Sequence, residues 1–179
     1  MRHNTGMRVL AFDPGYERLG AAVLERPTAQ AGTSAKETVL HSECVRTSGQ
    51  LPFPERLGLL GKAVDRLISE FQPTAMALEK VYFEKNAKTA MHVAEVRGML
   101  IHHAHVQGLV LFEYTPQEIK VAVTGYGASS KRAVADMVER LVVFPSRLDK
   151  ELPKRLDDEV DAIAVGITCL ASQNKHSPF

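Results

Sequence analysis

Short apolar runs alternate along this chain with longer stretches in which apolar residues recur every three or four positions. The run 9–12 is followed by Asp13 and a Pro-Gly turn, and the run 75–78 is followed by Glu79. Continuous apolar runs of this length, closed by a polar or turn residue, predict strands that are buried on both faces. Further strands are predicted over 20–24, 38–46 and 109–114.

The clearest helical pattern is an apolar stripe with spacings of three and four residues. Its members are Phe53, Leu57, Leu60, Val64, Leu67 and Phe71. This spacing places all of them on one side of a helix. Prolines at 52 and 54 mark its start, and Pro73 marks its end. Further helices are predicted over 86–105, 115–123, 130–141 and 157–172.

The order of these elements predicts an α/β fold. The first three strands are connected too closely for anything but antiparallel pairing, whereas strand–helix–strand units imply parallel neighbours with a right-handed crossover. We therefore expect a mixed five-stranded sheet, three antiparallel strands then two parallel ones, with helices on both faces. At 179 residues, 45% of them hydrophobic, the chain suits one domain over 1–179. Its core is expected over about 7–172, between a short flexible N-terminal extension and a C-terminal tail.

Charge and composition narrow the function classes. The 22 basic and 21 acidic residues give a net charge of +1, which excludes a histone-like protein that binds through bulk charge. Two cysteines outside any C-x-x-C pair exclude a disulfide scaffold. The apolar run 162–171 is shorter than the roughly 20 residues that span a bilayer, and the N-terminus has no signal-peptide core. We expect a cytoplasmic protein without a membrane partner.

Acidic residues are predicted to meet at one edge of the sheet. If the strands that precede Asp13 and Glu79 are parallel neighbours, both carboxylates emerge at the carboxyl edge, where open α/β sheets bind their ligands. The last helix opens with further acids, of which Asp158 and Asp161 are three apart and share a face. Asp157 is four residues before Asp161 and could share that face too.

Some of these acids have a simpler explanation. Asp157 and Glu159 suit the positive N-terminal end of a helix. Asp161 fits that explanation poorly because it interrupts an apolar run, where a charge needs a partner. A divalent cation is the natural partner of converging carboxylates, and an all-oxygen set favours Mg²⁺ or Mn²⁺ over Zn²⁺.

Four segments resemble motifs of one known family. Residues 12–15, FDPG, resemble the first motif of the RuvC family of Holliday-junction resolvases, which has a ribonuclease H-like fold. Residues 77–83, ALEKVYF, resemble the second motif, and residues 125–131, GYGASSK, resemble the family's basic loop. Residues 158–164, DEVDAIA, resemble its terminal helix. The motifs occur in the family's order over nearly the whole chain.

This resemblance implies an activity and a metal site. It implies a homodimeric, metal-dependent endodeoxyribonuclease that resolves four-way DNA junctions in homologous recombination and DNA repair by two symmetric phosphodiester hydrolyses. Asp13, Glu79, Asp158 and Asp161 are the implied ligands of two Mg²⁺ ions, for which Mn²⁺ can substitute, and the family spacing favours Asp158 over Asp157. A branch-migration motor complex is an implied further partner.

The resemblance also implies residues that act on the DNA. Lys120 and Lys131 are expected near the active site, where they hold the scissile phosphate and balance developing negative charge; the alternative is two exposed helix lysines. Tyr82 is the expected base-stacking residue, while one member of the aromatic pair belongs by default to the core. For Arg97, an ordinary salt bridge is the alternative to phosphate contact. The expected DNA-binding residues are Tyr82, Phe83, Lys85, Arg97, Lys131 and Arg132.

Two other functions share part of this pattern. A YqgF-like RNA-processing nuclease of the same fold would retain the acids, but the pair Tyr82-Phe83 and the loop 125–131 argue against it. A catalytically inactive junction-binding module is the second alternative. The full set of four acids argues against that module, since a pure binder gains nothing from anions placed beside phosphate.

Overall fold

The central element is a six-stranded mixed sheet. The computed structural model describes residues 6–26, 36–81, 87–144 and 156–173. The strands are β1 Arg8–Asp13, β2 Arg18–Glu25, β3 Glu37–Arg46, β4 Ala75–Glu79, β5 Val110–Tyr114 and β6 Val142–Val143. They lie in the order β5-β4-β1-β2-β3-β6. The pairs β1–β2 and β2–β3 are antiparallel, and β1–β4, β4–β5 and β3–β6 are parallel.

Five helices in the described part of the chain connect and cover these strands. They are α1 Phe53–Phe71, α2 Ala87–Val106, α3 Pro116–Thr124, α4 Lys131–Leu141 and α5 Asp157–Gln173. Local sequence sets their ends: Thr115 and Glu118 form a reciprocal capping box at the start of α3, and Gly125 ends it with a left-handed φ of 78°. Ser130 caps α4 by accepting a hydrogen bond from the Ala133 N–H.

The five predicted strands and five predicted helices are all present, and the structure adds a sixth strand. β6 has two residues, Val142 and Val143, which pair with Glu37 and Thr38 at the edge of β3. A two-residue strand that directly follows a helix carries no alternation of its own. It forms because the end of α4 delivers the chain to the open edge of β3.

Helices cover both faces of the sheet, as the sequence predicts. Val9 and Ala11 of β1 pack into a core with α3, α4 and α5, while Leu10 and Phe12 pack into a second core with α1 and α2. This alternation follows from the two-residue period of a strand. Because β1 is buried on both faces, Asp13 at its end is held on a rigid support.

Helix α5 is the most deeply buried helix segment next to the sheet. Residues 162–170 are all buried, and the helix packs against β1 and β2. Burying a side chain such as Ile163 or Leu170 contributes about 1.5–3 kcal/mol, so this helix is firmly docked. No helix in the described ranges combines the length and apolar character needed to cross a membrane. The docking fixes where the acidic first turn of α5 lies.

Candidate active site

The first two acids stand side by side at the carboxyl edge of the sheet. β1 and β4 are adjacent parallel strands, and their last paired residues are Phe12 and Leu78. Asp13 and Glu79 therefore follow at the same level on neighbouring strands. The predicted meeting of these two strand ends is confirmed.

A glycine brings α5 to the same place. Gly20 pairs with Asp13 across β1 and β2. A β-carbon at Gly20 would lie 2.0 Å from the backbone oxygen of Asp158, so only glycine permits this approach. The first turn of α5 therefore lies against β2, beside the end of β1. Asp158 is half-buried there, whereas Asp157 is exposed.

Burial and neighbouring negative charges raise the pKa values of Asp13, Glu79 and Asp161. Burial is the largest cause that raises the pKa of Asp13 to about 7, followed by the charges of Glu79, Asp161 and Asp158. Burial also raises the pKa values of Glu79 and Asp161, and the Asp161 charge adds to the shift at Glu79. The site thus holds more negative charge than its burial favours, which is the condition that a bound cation relieves.

Two lysines lie beside these acids. Lys131, the first residue of α4, places its Nζ 3.3 Å from Oδ2 of Asp161. Its charge lowers the pKa values of Asp13, Glu79 and Asp161. Lys120 on α3 is half-buried, and its charge also lowers the pKa of Glu79. Both lysines therefore lie within electrostatic reach of the acids.

Asp158 has two neighbours that the sequence did not single out. The Arg18 guanidinium lies 3.5 Å from Oδ2 of Asp158, and the Cys44 thiol donates to the same oxygen over 3.8 Å. Burial and the Asp158 charge raise the pKa of Cys44. Arg18 opens β2 and Cys44 lies on β3 opposite Gly20. No sequence signal separated either residue from ordinary strand residues.

The acids and lysines surround a cavity of about 340 Å³. This volume falls within the range of about 300–1,000 Å³ that is typical of ligand sites. The residues that line it are Asp13, Glu79, Pro116, Ile119, Lys120, Lys131, Val134, Asp161 and Ala164. Three of the four predicted acids and both predicted lysines thus face one space, and Asp158 lies outside its lining.

The donor chemistry of this site fits a divalent metal. Its donors are carboxylate oxygens, which Mg²⁺ and Mn²⁺ prefer, and the raised pKa of Asp13 marks uncompensated buried charge. Within the described ranges, no three His, Cys, Asp or Glu side chains are already arranged around a metal position. Asp161 and Asp158 are instead paired with Lys131 and Arg18, and a metal would replace those pairings.

The remaining predicted DNA-binding residues fall into two groups. Arg132 is exposed on the first turn of α4. Arg97 forms the salt bridge that was the alternative to phosphate contact, since it donates to the Glu113 carboxylate and to the backbone oxygen of Glu79. Tyr82, Phe83 and Lys85 lie outside the described residues.

A mixed sheet with acids at the ends of its two central parallel strands and on a final helix defines a nuclease of the ribonuclease H-like class. The family model for the crossover junction endodeoxyribonuclease RuvC matches residues 9–169. The RuvC of Finegoldia magna is 38% identical over 161 residues, which cover 90% of this chain and 91% of that relative. This chain therefore belongs to the RuvC family of crossover junction endodeoxyribonucleases.

Solved structures agree with this assignment. The Thermus thermophilus RuvC structure has a TM-score of 0.78 and 29% identity, with 94% of this chain and 96% of that chain covered. The same protein in complex with its Holliday junction substrate has a TM-score of 0.80 and 30% identity at the same coverage. The family resemblance and the ribonuclease H-like fold expected from the sequence are confirmed. The protein is a metal-dependent nuclease by family.

Proposed function

We propose that this protein resolves four-way DNA junctions by two symmetric hydrolytic cuts. The observation that carries the proposal is the cavity shared by Asp13, Glu79, Asp161, Lys120 and Lys131. Acidic and basic side chains that line one cavity suit a phosphodiester that needs both a cation and a counter-charge. Family membership, together with the junction complex of the Thermus relative, supports four-way DNA as the substrate.

Asp13, Glu79, Asp158 and Asp161 hold the metal in this proposal, as two Mg²⁺ ions for which Mn²⁺ can substitute. A bound divalent metal lowers the pKa of water and stabilises negative charge on the departing oxygen. The charges of Glu79, Asp161 and Asp158 all raise the Asp13 pKa, which supports this ligand set. Asp158 is favoured over Asp157 because Asp158 is half-buried and contacts Arg18 and Cys44 of the sheet, whereas Asp157 is exposed.

Lys131 and Lys120 hold the scissile phosphate from the α3–α4 side of the cavity. Lys131 lies 3.3 Å from Asp161, so it would exchange that carboxylate for phosphate if the acids held a metal. Its Nζ is on a side chain that is 81% exposed, so this movement meets little steric resistance. Arg132, exposed beside it, adds a phosphate contact outside the cavity.

Two symmetric cuts require two active sites, so the proposal includes a homodimer. Helix α2 exposes Met91 and Val106, at 64% and 61%, which is consistent with a helix that contacts a second copy. A branch-migration motor complex remains an expected further partner from the family resemblance.

The experiment that tests this proposal compares substrates. The purified protein is incubated with Mg²⁺ and one of three labelled substrates: a synthetic four-way DNA junction, its separate duplex arms, or the same junction made of RNA. We expect paired nicks in the DNA junction alone. Cleavage of RNA alone would indicate the YqgF-like alternative, and tight junction binding without cleavage under Mg²⁺ or Mn²⁺ would indicate the inactive binding module.

A further inference from the structure

Arg97 of α2 contacts the backbone of β4, the strand that ends at Glu79. Its guanidinium donates one hydrogen bond to the backbone oxygen of Glu79 and a second to the carboxylate of Glu113. Its side chain is only 16% exposed, although it belongs to a helix that faces solvent along part of its length. The contact therefore joins α2, β4 and β5 at the edge of the sheet where the acids meet.

The alternation along β4 separates Arg97 from the cavity. Ala75 and Ala77 pack into the core beneath α5, and Met76 and Leu78 pack into the core beneath α2. Glu79 has the parity of Ala77, and its side chain lines the cavity on the α5 side. Arg97, which lies on α2, therefore holds the backbone of Glu79 while leaving the carboxylate in the cavity.

The Glu79 backbone lacks a strand partner on one side. Glu79 still pairs with Tyr114 of β5, but pairing between β1 and β4 ends at Phe12 and Leu78, so Glu79 has no partner on β1. A backbone oxygen at the end of a ladder requires another donor when it is shielded from water. The Glu113 carboxylate neutralises the guanidinium and fixes its orientation, so Arg97 acts on Glu79 through the backbone rather than as a cation beside the acids.

We infer that Arg97 is a positioning residue for the metal site: by anchoring the Glu79 backbone to α2 and to Glu113, it sets where the Glu79 carboxylate lies relative to Asp13. The inference rests on the proposed function, since it assumes that Glu79 is a ligand. Residues that orient a metal ligand typically contribute 10- to 100-fold to metal affinity. Loss of Arg97 is therefore expected to weaken metal binding more than it weakens the fold.

The chain contains a second arginine salt bridge that serves as a matched structural control. Arg8, at the start of β1, donates to the backbone oxygen of Phe71 and to the carboxylate of Glu25. Its side chain is 26% exposed, so it resembles Arg97 in both partners and burial. It lies at the opposite end of β1 from Asp13. A variant at Arg8 loses the same kind of contacts without reaching the acids.

The test measures metal binding by the full chain without DNA. Mn²⁺ is titrated into the wild type and the variants Arg97→Gln, Arg97→Lys and Arg8→Gln, with free Mn²⁺ followed by electron paramagnetic resonance and thermal unfolding recorded alongside. We expect about 10-fold weaker Mn²⁺ binding for Arg97→Gln. Arg8→Gln should bind within about twofold of the wild type at a similar loss of melting temperature. Arg97→Lys, which retains one donor for the Glu79 oxygen, should recover part of the affinity.

A second pair of variants covers the case in which Arg97→Gln does not fold. Glu113→Ala frees the guanidinium, and Glu113→Gln retains an oxygen that can accept from it. We expect a larger loss of Mn²⁺ affinity for the alanine variant than for the glutamine variant. Unchanged affinity in all Arg97 and Glu113 variants, or an equal loss in Arg8→Gln, would overturn the inference.

The binding readout separates this inference from the proposed function. If the wild type binds Mn²⁺ but cuts no junction, the proposed function fails while the Arg97 comparison still stands. If the wild type cuts junctions and Arg97→Gln binds Mn²⁺ normally, the positioning role fails while the function stands. A wild type that binds no Mn²⁺ at all contradicts both.

Discussion

Gly20 lies directly against the backbone oxygen of Asp158, at a distance that leaves no room for a side chain. A β-carbon there would be 2.0 Å from that oxygen and 3.3 Å from the β-carbon of Asp13. One glycine thus determines how closely the first turn of α5 approaches the end of β1. Because Asp158 and Asp161 lie on α5 and Asp13 lies on β1, the spacing between these acids depends on this approach.

Gly20→Ala is therefore expected to damage the site more than the fold. The new methyl group must push α5 away from β2, at a cost typical of overpacking, about 1–3 kcal/mol. We expect junction cleavage to fall by at least about tenfold, since misplacement by about 1 Å can cost about 100-fold in rate. Gly58→Ala on α1 is the control, because nothing lies within 4 Å of its added carbon. Equal cleavage by both variants would show that the close approach is unimportant.

Lys131→Met tests the role of the lysines that line the cavity. Removing a charge that stabilises the reacting phosphate is expected to lower the single-turnover cleavage rate by about 10²- to 10³-fold. Junction binding should change much less, because one phosphate contact among many is lost. Lys62→Met, at an exposed position on α1, should cleave like the wild type. A rate for Lys131→Met within threefold of the wild type would remove this lysine from the mechanism.

The raised pKa of Asp13 predicts how stability depends on pH in the metal-free protein. Its pKa rises from an ordinary 3.8 to about 7 on folding, so the folded state binds its proton more tightly than the unfolded state does. The contribution of Asp13 to the free energy of unfolding is therefore fully present below pH 3.8. It is lost as the pH rises through about 7.

The variant Asp13→Asn has no carboxyl group at this position and should not lose stability in this way as the pH rises. We expect urea unfolding in EDTA to give a variant more stable than the wild type by on the order of 4 kcal/mol at pH 8, with a smaller difference at pH 5. Asp136→Asn, an exposed position on α4, should show no such dependence. A stability difference for Asp13→Asn that is the same at both pH values would contradict a raised Asp13 pKa.

The aromatic pair at 82 and 83 provides a separate test of DNA binding. Tyr82 is the predicted stacking residue, and stacking on an unpaired base contributes about 1–3 kcal/mol. Tyr82→Ala should therefore weaken junction binding by about 5- to 150-fold, while Mn²⁺ affinity without DNA is unchanged. If Phe83→Ala has the larger effect on junction binding at equal thermal stability, the assignment within the pair is reversed.

Much of this fold could be predicted because its patterns are local. The apolar stripe of α1 predicted Phe53–Phe71, the same bounds that the structure has. The buried runs before Asp13 and Glu79 predicted two strands, and the short chain connections set their directions. Periodicity alone located the ends of these strands and helices. The family motifs then identified which residues at those ends form the site.

The contacts that depend on tertiary packing could not be predicted. The sequence around a helical arginine does not show whether its partner is a DNA phosphate or a carboxylate of the protein. In the structure, Arg97 pairs with Glu113. The contact between Arg18 and Asp158 depends on the close approach of α5 to β2. Gly20 permits this approach, but a glycine in the sequence does not predict it. The strand β6 is too short for an alternating pattern and exists only because the edge of β3 is available.

The most direct test of the account is junction cleavage by Asp161→Asn beside Asp136→Asn. Both changes remove one carboxylate charge, but only Asp161 lines the cavity. With Mg²⁺, the wild type and Asp136→Asn should introduce paired nicks at symmetric positions of a four-way DNA junction. Asp161→Asn should bind the junction and cut at least about 10³-fold more slowly, and EDTA should stop all three proteins. Cleavage by Asp161→Asn at the wild-type rate, or cleavage that persists in EDTA, would contradict a metal-dependent site at these acids.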